Sequence, residues 1–528
     1  MKRRTFIKRT GTAGILSFII PSDVIQIFKQ NSILQFAEEF RTPPPSTYPQ
    51  NMWFWVNGNV TKEGITLDLE AMKRAGISGF FNFDVGTGIP KGPVTYLSKE
   101  WVELKKHAIR EAERLGLEFV MHNCPGWSSS GGPWITPELA MQQITWSESF
   151  VSGNKPINLY LPKPPSRLDY YRDIAVIAFP SLEREDLLQD VRISSSNREF
   201  NNHVLSGKNQ EEGMVVHPPE KNESAWLQFE FAQPYEVKQL TFFISAIPTE
   251  ATVTIPLEFG ERTSISLEAS DDGVKFRQVT PINTGLETEL LSSDKFIVFD
   301  IPVTRAKYFR FTSSTTRRYR QVQFSGITRL KNWMEKANHR TRTSTYVAEP
   351  STIDQTNTQK VPPASIIDFN AVLDISQNMD KDGFLRWDVP VGNWTILRIG
   401  FTPTGVPNRS APDTGVGLEC DKYSKTAFQF HFNKMMEHFL PVIKQLSAQG
   451  KMGLEIDSYE AGAQNWTTGF EDFFLKSRRY DLKNYLPVLA GGRIVSNVDI
   501  TERFLWDLRK VQADLMADNY YGYFHELC

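Results

Sequence analysis

From Trp53 to His122 the sequence alternates short apolar strand patterns with amphipathic helix patterns, joined by short connections. Trp53-Phe54-Trp55-Val56 reads as an aromatic strand. Val60 to Ala75 reads as a helix, with Thr61 as its cap, Leu67, Met72 and Ala75 near one face, and Gly76 as its stop. Ser78 to Phe83 is a second buried strand. Lys99 to Leu115 is a second helix ended by Gly116, and Glu118 to His122 is a third strand. Such a β-α-β-α-β order dictates a parallel sheet with right-handed crossovers. Periodicity alone leaves a barrel and an open sheet equally open.

The rhythm then stops. From Ile174 to Leu330 the chain is strand-like, with alternation in Trp226 to Phe231, Leu240 to Ile244, Ile265 to Ala269 and Tyr308 to Phe311. Ser270-Asp271-Asp272-Gly273 is a turn between strands. Many short strands with Gly and Asp turns indicate a β-sandwich, and this stretch resembles the galactose-binding-like sandwiches. Phe384 to Pro390 and Trp394 to Arg398 are further strands. Helical pattern returns at Ser424 to Ser447, a strand at Met452 to Asp457, and one long helical run at Asp499 to Leu527. The expected fold is α/β: a (β/α)8-type barrel, incomplete at its C-terminus, interrupted by an inserted galactose-binding-like β-sandwich. The expected division is a signal peptide at 1–22, a linker at 23–50, the first part of the barrel at 51–173, the sandwich at 174–332, a small β region at 345–415 and the resumed barrel at 416–528.

The N-terminus carries Lys2, Arg3 and Arg4, then Phe6-Ile7-Lys8 and an apolar run from Gly11 to Ile20. A basic start before about ten apolar residues is the pattern of a signal peptide, and the paired arginines resemble the twin-arginine export motif. Export to the periplasm or beyond the cell is therefore expected. No later stretch is apolar enough for a transmembrane helix. The net charge of -2 gives no reason to expect a nucleic-acid partner. Three cysteines, Cys124, Cys420 and Cys528, make no disulfide framework, although the first two could pair. The 12 Trp and 16 Tyr suit sugar rings as well as a core.

Barrel enzymes keep their catalytic groups at the C-terminal ends of the strands. Four such ends carry polar or aromatic candidates: Trp55 at the first, Asp84 at the second, His122, Asn123 and Trp127 at the third, and Asp457 with Glu460 after the fourth. Glycosidic cleavage needs one carboxylic acid to protonate the leaving oxygen and a second carboxylate to activate water or to attack. Glu460, beside Tyr459 and near Trp466 in sequence, is the expected acid if desolvation raises its pKa, and Trp466 is expected to contact the sugar. A turn-capping Asp457 and a solvated Glu460 are the plain alternative. Glu419, in Gly417-Leu418-Glu419-Cys420-Asp421-Lys422, is expected to bind a sugar hydroxyl or calcium, or else to form a surface salt bridge.

The segments "PPPSTYPQNMWFWVNGNVTKEGITLDLEAMKRAGISGF", "HNCPGWSSSGGPWITPELAMQ", "GFLRWDVPVGNWTILRIGFTPTG", "GLECDKYS" and "LEIDSYEAGAQNWT" resemble, in this order, glycoside hydrolase family 106, the α-L-rhamnosidases. The resemblance implies a (β/α)8 barrel with appended β domains, an inverting mechanism, an association with calcium and no organic cofactor. It implies rhamnose-containing plant oligo- or polysaccharides as substrates. Glu460 falls on the family's Asp-Ser-x-Glu motif, which implies the general-acid role. The family's base lies on a later strand, so it is expected beyond residue 528, and the chain reads as a portion of a longer enzyme. Two other readings remain: a barrel glycosidase for another sugar, and a non-catalytic carbohydrate-binding protein.

Overall fold

The computed structural model describes residues 37–44, 47–86, 88–182, 191–197, 199–200, 214–220, 223–246, 262–286, 295–339, 361–437, 439–440, 452–457, 459 and 461–528. The signal peptide expected at 1–22 and the acid expected at Glu460 lie outside the described residues. Within the expected linker, residues 37–41 are helical. The chain forms two compact units. The described residues of the first fall within 1–133, 408–417 and 432–460, and those of the second within 134–407, 418–431 and 461–528.

The first unit opens with β1 (Gln50–Val56) and α1 (Lys62–Arg74), whose cap Thr61 accepts a hydrogen bond from the Gly64 amide at 3.0 Å. The buried side of α1 is Ile65, Leu69 and Met72, spaced as one helical stripe. Leu67, expected on that side, is 63% exposed because it falls between the stripe positions. Next come β2 (Gly79–Val85) and α2 (Lys99–Leu115), capped by Ser98 and ended by Gly116 in the left-handed region at φ 65°. β3 (Glu118–His122) follows.

The chain then enters the second unit. Here β4 (Gln142–Ser152), β5 (Arg172–Pro180) and β6 (Asn393–Pro403) form an antiparallel sheet with β6 in the middle. β6 is buried almost throughout. Leu397, Ile399 and Phe401 join the main core, whereas Trp394 and Ile396 join a second cluster with Leu385, Trp387 and Val389. The pairing of β4 and β5 with β6 unites segments that local pattern had assigned to the barrel (51–173), the sandwich (174–332) and the small β region (345–415). The sandwich strands lie between Val191 and Ser325. Their two long members, Ala225–Ala246 and Lys295–Ser313, run antiparallel with bulges, and Leu227, Phe229, Leu267, Phe309 and Phe311 alternate into the interior.

The chain returns to the first unit as β7 (Met452–Glu455). The parallel sheet has the order β1-β2-β3-β7, so β7 sits directly beside β3 although the β region separates them in sequence. This is a barrel-like β/α sheet of four strands among the described residues. α3 (Phe470–Arg478) and α4 (Val498–Leu515) complete the main core of the second unit. The expected single C-terminal helix is three pieces: α4, a π-helical stretch at Met516–Gly522, and Tyr523–Leu527. No described helix is long and apolar enough to cross a membrane.

Candidate active site

The register of the parallel sheet sorts the strand-end residues onto two faces. Trp53 pairs with Asn82 and Trp55 with Asp84, so these four share a face. The helices cover that face. The Trp53 indole donates to Asp68 of α1 at 3.1 Å. Lys105 of α2 is fully buried, 2.7 Å from Asp84 Oδ2, hydrogen-bonded to Asn82, and 4.0 Å from the Trp55 ring centre. The Trp101 indole donates to Asp84 Oδ1 at 2.8 Å. Both Asp84 oxygens thus face partners from α2. Burial pulls the Lys105 ammonium below its usual range, and Asp84 opposes that. Asp84 and Trp55, expected to bind sugar, are built into the joint between sheet and helix.

The other face carries Phe54, Phe83, His122 and Glu455, one from each strand in order. Phe83 stacks against His122 with ring centres 4.6 Å apart. Trp127 lies over the same face, 5.2 Å from Phe54 and 6.2 Å from Phe83. It is half-buried, and Phe54 is 38% exposed. Phe54 and Trp127 thus form the solvent-reaching edge of an aromatic cluster whose inner members, Phe83 and His122, are buried.

The loop after β3 is held by its own polar residues. His122 Nε2 donates to the Ser128 carbonyl at 2.8 Å, and Asn123 Nδ2 donates to that of Ser129 at 2.9 Å. The Cys124 thiol donates to the Ser128 carbonyl at 2.7 Å. His122 and Asn123 are 2% and 3% exposed, so they shape the loop rather than project from it. Gly126 donates its amide to the Asp84 carbonyl at 2.8 Å and has φ +85°. A Cβ there would lie 1.9 Å from the Arg409 carbonyl oxygen, so only glycine fits. Trp127 is delivered by this turn, and its amide donates to the Arg409 carbonyl at 3.0 Å.

Asp457 follows β7 by two residues and is half-buried. Glu455, which the sequence reading passed over, is the carboxylate that the register places beside His122, with Oε1 3.5 Å from Nδ1. The signal that finds it is the period of two: once His122 is on a face, its neighbour in register on β7 is on that face too.

Glu419 and Trp466 belong to the second unit. Glu419 is fully buried and pairs with fully buried Lys422 at 2.7 Å, so it is an interior ion pair, not a surface one. Trp466 is fully buried against Phe470. Neither presents a face to a sugar from solvent. Asp421 of the same unit accepts from Thr467 Oγ1 at 2.5 Å, from the Tyr423 amide at 2.9 Å and from Gln464. Burial pushes its carboxyl up to about 6, and these hydrogen bonds pull the other way. No disulfide joins Cys124, Cys420 or Cys528. Among the described residues no group of three or more His, Cys, Asp or Glu converges to hold a metal ion, so no calcium ligands are assigned.

A family model described as alpha-L-rhamnosidase matches residues 41–528. A protein of Formosa agariphila named "Putative beta-glucuronidase" is 31% identical over 507 residues, covering 96% of this chain and 31% of that protein. The solved structure of a rhamnosidase from Novosphingobium sp. PP1Y superposes with a TM-score of 0.73 at 26% identity, over 93% of this chain and 46% of that one. The chain thus spans about a third to a half of the length of these relatives.

Proposed function

Because the chain belongs to the alpha-L-rhamnosidase family, glycoside hydrolase family 106, we propose that it contributes the general acid of an inverting α-L-rhamnosidase acting on rhamnose-containing plant glycans. The observation that carries this reading is the strand-end face on which Phe54, Trp127, His122 and Glu455 meet. Phe54 and Trp127 would stack on the sugar. Asp457 and Glu460, just past β7, would supply the polar contacts and the proton. Glu460 acts as general acid toward the glycosidic oxygen, and a second carboxylate about 6.5–9.5 Å from it activates water on the opposite face of the ring. No residue described here is assigned as that base.

Calcium dependence is proposed from the family resemblance, and the described side chains offer no ligand set for the ion. Export through the N-terminal arginine motif is likewise proposed, from sequence alone. The name carried by the Formosa agariphila relative favours a second reading, a β-glucuronide as substrate.

The test is hydrolysis of an aryl α-L-rhamnoside and an aryl β-D-glucuronide, with and without calcium, by this chain and by a longer form where the gene encodes one. Release from the rhamnoside with an inverted anomeric product supports the proposal. Release from the glucuronide alone replaces it with the second reading. Binding of rhamnosylated glycan without release by either form would leave a carbohydrate-binding protein.

A further inference from the structure

At the ends of β3 and β7 two buried acceptor atoms face each other. The His122 ring is held at Nε2 by the Ser128 carbonyl at 2.8 Å. A carbonyl oxygen can only accept, so Nε2 carries a hydrogen. In a neutral imidazole Nδ1 would then hold a bare lone pair. Nδ1 lies 3.5 Å from a carboxylate oxygen, Glu455 Oε1. Both atoms are buried, and neither has a hydrogen-bond partner among the described residues. Two lone pairs in contact, both out of water, repel. One proton on Nδ1 turns the contact into an ion-pair attraction.

Among the described residues, no other group supplies that balance. From β2 the ring meets Phe83, whose face is apolar. From its own loop it meets Cys124, with Sγ 3.6 Å from Nε2, but that thiol donates to the Ser128 carbonyl. Asp84 lies on the opposite face of the sheet with Lys105. Glu455 is the one carboxylate in ion-pair contact with the ring among the described residues, and its side chain is 20% exposed against 1% for His122.

We propose that Glu455 is a positioning residue, which holds a doubly protonated His122 across the ends of β3 and β7. The Asn123 amide also donates to the Glu455 carbonyl at 3.0 Å. The two strand ends are thereby braced twice, once through backbone and once through the charged pair. This brace fixes the point from which the chain turns toward Asp457 and Glu460, so its purpose rests on the reading of that end as the active site. The existence of the pair does not rest on it.

The experiment is nitrogen NMR of the full chain labelled at histidine, near neutral pH and without substrate, with His122 assigned by its loss in H122Q. Should H122Q fail to fold, the resonance that moves in E455Q provides the assignment. Both ring nitrogens of His122 are expected to read as protonated in the wild type. In E455Q the Nδ1 resonance is expected to move to the lone-pair range while Nε2 stays protonated, because an amide can donate to Nδ1 but cannot hold a cation. A lone pair on Nδ1 in the wild type, or a spectrum indifferent to E455Q, overturns the proposal. A Nδ1 resonance that moves on adding EDTA also overturns it, in favour of a metal ion between the two side chains. Since no hydrolysis is measured, failure here is separable from failure of the rhamnosidase reading.

Discussion

Replacing Lys105 by methionine separates a structural Asp84 from a sugar-binding one. Lys105 is fully buried, while the Asp84 side chain is 12% exposed, and their charged atoms are 2.7 Å apart. Methionine keeps the length of the stem and its packing on Trp55 and Trp101, and removes the charge. Among the described residues, the Asp84 carboxylate keeps the Trp101 indole as its one side-chain donor. Stranding one member of a buried pair typically costs about 3–5 kcal/mol. The slight exposure of Asp84 places the expected loss for K105M at the low end, about 3 kcal/mol. D84N strands the ammonium instead. That cation can escape by losing its proton, and burial already lowers its pKa. The D84N penalty should therefore grow as pH falls, since the unfolded chain keeps Lys105 charged throughout. The double variant D84N/K105M removes both charges and should recover most of the loss. The assay is urea unfolding followed by tryptophan fluorescence, fitted with separate transitions where two appear. If K105M costs under about 1 kcal/mol, or if the double variant is as damaged as the sum of the singles, the buried-pair account is wrong. If K105M leaves stability alone and weakens sugar binding, Asp84 belongs to the site after all.

The second unit contains two titrations of opposite sign. His339 donates from Nε2 to the Leu489 carbonyl at 2.8 Å, and burial pulls its pKa down to about 4. The unfolded chain then takes up a proton near pH 6.5 that the folded chain refuses, so His339 costs up to about 3 kcal/mol as pH falls from 6.5 to 4. Asp421, raised to about 6, acts the other way: the folded chain holds a proton that the unfolded one releases, and stability is lost as pH rises from 3.8 to 6. The two should nearly cancel in the wild type, so D421N should steepen acid destabilisation and H339Q should reverse it, as read by unfolding midpoints at pH 4 to 7. G126A should cost about 1–3 kcal/mol from the left-handed backbone alone, with more from the clash at Arg409, and should speed proteolytic cutting of the loop after β3; unchanged cutting would count against the tight turn. In whichever form hydrolyses an aryl rhamnoside, E460Q should lower the rate on poor leaving groups by about 10²–10⁴-fold and spare activated ones more. Equal rates for E460Q and wild type on a poor leaving group would remove Glu460 from the acid role.

What the sequence made legible, and what it hid, follows from the range of the interactions involved. α1 and α2 were readable because their caps and stops are local: Thr61 and Ser98 bond amides three residues away, and Gly116 takes a left-handed φ that ends the helix. The parallel order of β1, β2 and β3 was readable because a crossover helix leaves a strand few alternatives. The pairing of β4 and β5 with β6 was not, because it joins residues more than 200 positions apart and no local pattern records a partner. The site was half legible for a related reason. Reading strand ends as one set put Trp55, Asp84, His122 and Asp457 together, since all sit at the same end of the sheet. Which face each occupies depends on register, and register depends on the partner strand. Trp55 and Asp84 share a parity that turns them toward α2, whereas Phe54, Phe83, His122 and Glu455 share the one that turns them away from the helices. A shift of one residue in β7 would exchange Glu455 for a neighbour and remove the carboxylate from His122. The identity of the residue beside His122 is therefore a property of the β3–β7 pairing rather than of the Glu455 segment.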